Sequence, residues 1–86
     1  MIIIFSKRFK KSFSKLEGRV QNKFEERLNI FSTDRFHPVL NNHSLHREYG
    51  GCRSINITGD IRAVYEDLEE GISFLDIGTH SQLYEG

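Results

Sequence analysis

His43, His80, Arg53 and Arg62 are the side chains of this chain whose types suit proton transfer and phosphate binding near neutral pH. Histidine has an ordinary pKa of about 6.5, so it can give or take a proton there. Arginine presents a planar fork of donors that grips a phosphate at two points. Together these groups match the demands of RNA cleavage by the RNA's own 2′-hydroxyl. That reaction needs a base for the hydroxyl, an acid for the leaving 5′-oxygen, and donors for the charge that grows on the phosphate. Each proton-transfer group is worth roughly 10²–10⁴ in rate. Such chemistry requires no metal and no cofactor.

A metal site is the competing use of the histidines. His37, His43 and His46 lie close in sequence, and His43 and His46 have an i,i+3 spacing. A site needs three or four converging ligands, and here they would come from a loop with no helix to hold them. The lone Cys52 excludes an intramolecular disulfide and any cysteine-based zinc site. Solvated or hydrogen-bonded loop histidines are the simpler reading, above all for His37 and His46.

The elements that must hold these groups lie mostly in residues 51–84. Three runs there read as strands: Ile55 and Ile57 alternate with polar residues, Ile61, Ala63 and Tyr65 follow, then Ile72 and Phe74 before Leu75 and Ile77. The breaks at Gly59-Asp60 and at Glu69-Glu70-Gly71 are short, which predicts a three-stranded antiparallel meander, with Asp60 in the turn or in the strand. Such a sheet keeps one face on a core and one face free for polar groups. Asn56, Asp60 and Arg62 are candidates for that free face, and His80 and Tyr84 follow the last strand.

Upstream, Ile2-Ile3-Ile4-Phe5 is apolar on both faces and is expected inside the sheet rather than at its edge. Ser6 can cap a helix whose stripe is Phe9, Phe13 and Leu16, with Gly18 as its C-cap. A second helix is expected from about Arg19 to Ser32, with Val20, Phe24, Leu28 and Phe31 on one side. The two helices form a hairpin. Residues 33–50 carry no sustained period and hold three of the four histidines. A loop this long in a small domain is usually functional or mobile.

Eighty-six residues suit one domain, spanning 1–86. A chain this short buries only about 60–65% of its unfolded surface, so its seven Phe and three Tyr must carry much of the core. The opening apolar run is too short for a signal peptide, and no apolar run approaches membrane-spanning length. A soluble, cytoplasmic protein is expected. Net charge is zero but divided: residues 1–47 carry ten Lys and Arg against four Asp and Glu, net +6, and residues 48–86 carry two against eight, net −6. The basic half can face RNA phosphates or an acidic partner, or simply solvate its helices.

RSINITGDIRAVYED, FLDIGTHSQLY and the upstream NNHSLHREYGGCR resemble the C-terminal half of RelE/YafQ-type toxins of bacterial toxin–antitoxin systems, within the RelE/ParE superfamily. The His-x-Leu segment of His43 and Leu45, ten residues before Arg53, is similar to the YafQ branch. The resemblance implies an α+β fold of order β-α-α-β-β-β, with an N-terminal helical hairpin packed on a small antiparallel sheet. It implies an endoribonuclease that cuts mRNA, on the ribosome, and is silenced by a cognate antitoxin whose acidic or amphipathic segment wraps the toxin. By this resemblance His80 is the general acid. His43 and Asp60 serve the 2′-hydroxyl or position the substrate, and Tyr84 stacks on or hydrogen-bonds the nucleotide. Arg62 matches the arginine of the RelE-like members, and Arg53 and Asn56 join the substrate-binding set. Two positions depart from the YafQ pattern: Asn56 stands where those members have a catalytic histidine, and Asp76 where they have an arginine. The same superfamily includes ParE-type toxins that bind gyrase without cutting RNA. A gyrase-binding toxin, or a catalytically weakened member, is therefore the alternative.

Overall fold

The computed structural model describes residues 2–46 and 49–84. The chain runs β1 (Ile2–Phe5), α1 (Lys7–Ser14), α2 (Gly18–Thr33), a 3-10 turn (Pro38–Leu40), β2 (His43–Ser44), β3 (Cys52–Asn56), β4 (Ile61–Leu68), β5 (Gly71–Thr79) and α3 (His80–Tyr84). Arg47 and Glu48, counted in the charge balance, lie outside the described residues. The strands form one mixed sheet in the order β1-β5-β4-β3-β2. β3, β4 and β5 are the expected antiparallel meander.

β1 corrects the sequence reading twice. It pairs parallel to β5, so the sheet is not wholly antiparallel. It also lies at the edge, where Ile2 and Ile4 stay about half exposed on one face while Ile3 and Phe5 turn to the core. An apolar run on both faces is thus no proof of a central strand. A Cβ at Gly71 would collide with the Ile2 carbonyl, so the absence of a side chain there permits the close approach of β1.

Ser6 does cap α1: its Oγ accepts from the Phe9 N–H at 3.0 Å and donates to the Leu75 carbonyl at 2.8 Å. The helix ends earlier than expected. Its C-cap is Lys15, and Gly18 opens α2 instead of closing α1. The hairpin covers one face of the sheet. Five rings surround Phe74 there, those of Phe5, Phe9, Phe24, Phe31 and Tyr65, with centroids 5.5–5.8 Å away. Edge and tilted ring contacts of this kind add to the area they bury.

The opposite face is less bare than the meander alone predicts. Cys52, Val64 and Leu83 form a second, small cluster with Leu45, Tyr49, Leu75 and Tyr84 against it. Leu83 and Tyr84 come from α3, a helix that the sequence reading does not assign to the residues after the last strand. The signal was present. Thr79 and Gln82 form a reciprocal cap: the Thr79 N–H donates to Gln82 Oε1 at 2.9 Å, and the Gln82 N–H donates to Thr79 Oγ1 at 3.1 Å. Thr-x-x-Gln is the sequence form of that box.

Candidate active site

The turn between β3 and β4 builds the first part of the site. Thr58 Oγ1 accepts from the Asp60 N–H at 3.2 Å and from the Ile61 N–H at 3.0 Å. This places Asp60 in the turn, exposed, and not in the strand. Arg62 follows at the start of β4. Its Nη1 donates to the carbonyls of Thr58 (3.2 Å) and Gly59 (3.0 Å). Arg62 makes no ion pair with Glu66 or Asp76, the carboxylates within reach along the sheet, among the described residues. The guanidinium is steered by neutral carbonyls, which leaves its charge uncancelled and its remaining N–H groups available.

β5 ends beside this turn, since Thr79 pairs with Ile61 and Gly78 with Arg62. His80 therefore starts α3 next to Arg62. Asp60, Arg62, Thr79 and His80 line one open recess of about 510 Å³. The His80 ring meets the Tyr84 ring edge-on with centroids 4.7 Å apart, one turn along α3. Tyr84 also packs edge-on against Tyr49 at 5.8 Å.

His43 enters from the other side. It pairs with Ser54 on β3, two residues before Asn56, and Asn56 pairs with Arg62. β2 and β5 are three strand spacings apart, roughly 14 Å at ~4.8 Å each. His43 does not line the recess that holds His80. Its orientation is well defined nonetheless. Asn41, in the left-handed conformation (φ 45°), presents its carbonyl to His43 Nδ1 at 2.8 Å. A carbonyl only accepts, so a neutral His43 carries its proton on Nδ1 and offers the Nε2 lone pair outward.

The loop carrying His43 is clamped by a network that sequence reasoning missed. Asn42 Nδ2 donates to Tyr65 Oη at 2.7 Å and to the Arg35 carbonyl at 3.2 Å, while Asn42 Oδ1 accepts from Arg53 Nε at 2.7 Å. Arg53 also lies over the exposed Phe36 ring, 5.3 Å from its centroid. Arg53 is thus engaged in holding the loop. Nothing in the sequence marks Asn42 for this role. Leu40, fully buried from the same loop, anchors it further.

Three polar atoms on the site's side of the sheet are buried without a hydrogen-bond partner among the described residues: Ser54 Oγ, Asn56 Oδ1 and Tyr84 Oη. Asp76 contrasts with them. It is buried and fully used, accepting from Ser12 Oγ (2.7 Å), Arg8 Nε (3.1 Å) and the Ile77 N–H (2.8 Å). The carboxylate that stands at the departing position ties α1 to β5. His37 accepts from the Val39 N–H and caps the 3-10 turn. No three His, Cys, Asp or Glu side chains among the described residues are grouped to hold an ion. Cys52 is buried, and desolvation, then the charge of Glu66, pushes its thiol pKa up.

The α+β fold has known counterparts. The family model for the bacterial toxin of type II toxin–antitoxin systems, YafQ, matches residues 1–85. The chain belongs to that family and is a toxin of this class. Among solved structures it is similar to YafQ from E. coli strain BL21(DE3), at 21% identity, covering 96% of this chain and 97% of that one, with a TM-score of 0.83. It is similar to the E. coli DinJ-YafQ toxin–antitoxin complex at 22% identity, 96% of each chain and a TM-score of 0.81. The RelB-RelE antitoxin–toxin complex from Methanococcus jannaschii matches at 16% identity over 95% of each chain, TM-score 0.74. At these identities the likeness establishes the fold. No curated protein matches the chain significantly. No helix among the described residues is long and apolar enough to cross a membrane.

Proposed function

We propose that this toxin is a metal-independent endoribonuclease that cuts mRNA on the ribosome. The observation that carries the reading is the shared recess of His80, Arg62 and Asp60. A scissile phosphate seated there meets the free N–H groups of Arg62. His80, as imidazolium, protonates the 5′-oxygen while the P–O5′ bond breaks. The 2′-hydroxyl loses its proton to a base and forms the new bond to phosphorus. The Asp60 carboxylate, in the same recess, is that base, and His43, three strands away, positions the adjoining nucleotide through Nε2. Tyr84, packed on His80, holds the acid and stacks on the adjoining nucleotide. Asn56 meets the substrate with the polar face of its amide, and Arg53 supports the loop that presents His43.

A cognate antitoxin is the proposed regulator, since the related toxins are seen with DinJ and RelB. The basic hairpin offers a dock for its acidic segment.

Expression in bacteria with measurement of message cleavage tests the reading. His80→Ala is expected to lower cleavage by roughly 10²–10⁴ and abolish growth arrest. Asp60→Ala is expected to fall in the same range. Full toxicity in both variants sinks the acid–base assignment, and gyrase-dependent DNA damage with intact message supports the alternative.

A further inference from the structure

A second concavity, about 610 Å³, lies between the α1–α2 connection and the β3–β4 turn. Lys15, Arg19 and Lys23 stand on its helical side, and Gly59, Asp60 and Thr79 on its sheet side. The last three residues also line the recess of Arg62 and His80, so the two depressions adjoin along the β3–β4 turn. We propose that this groove is the track for the RNA strand that adjoins the cleaved bond, with its phosphates on Lys15, Arg19 and Lys23. The proposal rests on the nuclease reading above.

The charges suit that occupant. Lys15 has no ion-pair partner among the described residues. Arg19 pairs with Glu17 at 3.0 Å, but both side chains are more than two-thirds exposed. Lys23 pairs with Glu26 at 3.4 Å, again in contact with solvent. Exposed pairs of this kind are weak and exchange readily for a stronger anion. The floor between them is apolar, formed by Leu16, Val20 and Ile61, and suits the sugar and base edges of a strand. A chain held in the recess by one phosphate has to leave it somewhere, and the seam at Gly59 is unobstructed. A Cβ at Gly59 would meet nothing within 4 Å. An acidic peptide would find two carboxylates, Glu17 and Asp60, facing it in the same groove. A nucleic-acid strand spaces its charges with neutral sugars and tolerates that pattern.

The test is equilibrium binding of 2′-O-methyl RNA, which lacks the attacking hydroxyl and cannot be cut. Fluorescence anisotropy compares a trimer with a 12-mer on the intact protein. The parent is expected to bind the 12-mer more tightly. In the combined Lys15→Ala, Arg19→Ala, Lys23→Ala variant the 12-mer's log–log salt slope becomes shallower by about 2, at ~0.7 per cation for a single strand. Between ~50 and ~200 mM salt the parent then weakens about 16-fold more than the variant. Gly59→Phe fills the seam without touching a charge and is also expected to weaken the 12-mer. Either variant binding the 12-mer as the parent does overturns the track. So does loss of an acidic antitoxin peptide from the charge variant with RNA binding intact. Because no cleavage is read, a protein that binds as expected but never cuts RNA keeps the track and loses only the nuclease assignment.

Discussion

The two faces of the sheet are built to different standards. On the hairpin face, aromatic rings surround Phe74, and where α1 meets β5 the buried Asp76 accepts three hydrogen bonds. On the other face, a small cluster under α3 leaves Ser54, Asn56 and Tyr84 with buried, unpartnered polar atoms among the described residues. Unpaired buried polar groups cost free energy. These atoms lie on the α3 side of the sheet and not in the main core. Among the described residues, the unpartnered buried side-chain atoms all belong to the second face.

That contrast breaks first at Phe74. Phe74→Ala is expected to cost about 3–5 kcal/mol, a large part of the 5–15 kcal/mol typical of a whole domain, and a thermal melt would show a collapsed or absent transition. Asp76→Ala comes next. It strands the Ser12 hydroxyl and the Ile77 N–H, and a loss of about 1–3 kcal/mol should appear in urea denaturation. A smaller loss would mean that water replaces the carboxylate.

Ser54→Ala and Tyr84→Phe remove orphaned hydroxyls, so both should leave the urea midpoint unchanged or raised. Destabilisation of either would show that the hydroxyl has a partner in solution. For Tyr84→Phe, slower RNA cleavage at unchanged stability would mark a contact to the nucleotide. The smallest effect concerns Cys52. Its thiol pKa is raised in the fold, so its contribution to stability is full below the ordinary thiol pKa and is lost as pH rises through the folded value. Above about pH 9, close to the ordinary thiol range, Cys52→Ala should therefore lose less stability than the parent. Urea midpoints at neutral and alkaline pH measure the difference.

Much of the fold was legible because it rests on periodicity. The α1 and α2 stripes, the Ser6 cap and the three-strand meander all follow from residue spacing. The site was legible as a set of residue types and less so as an arrangement. Asp60, Arg62 and His80 share a recess because the β4–β5 register sets Thr79 opposite Ile61, which alternation alone does not specify. The Asn42 clamp depends on contacts with Tyr65 and Arg53, far along the chain, and the Nδ1 proton of His43 depends on the left-handed turn at Asn41.

By itself the amino-acid sequence determined which segments become helix or strand, which aromatics go inside, and which side chains can move a proton or hold a phosphate. Those are local properties, set by side-chain chemistry and by periods of two and 3.6 residues. Only the tertiary structure decided that β1 lies at an edge, that Asp76 serves the fold, and that Arg62 faces backbone carbonyls instead of a carboxylate. These outcomes depend on strand order, register and competition between partners, and no single stretch of the chain contains them.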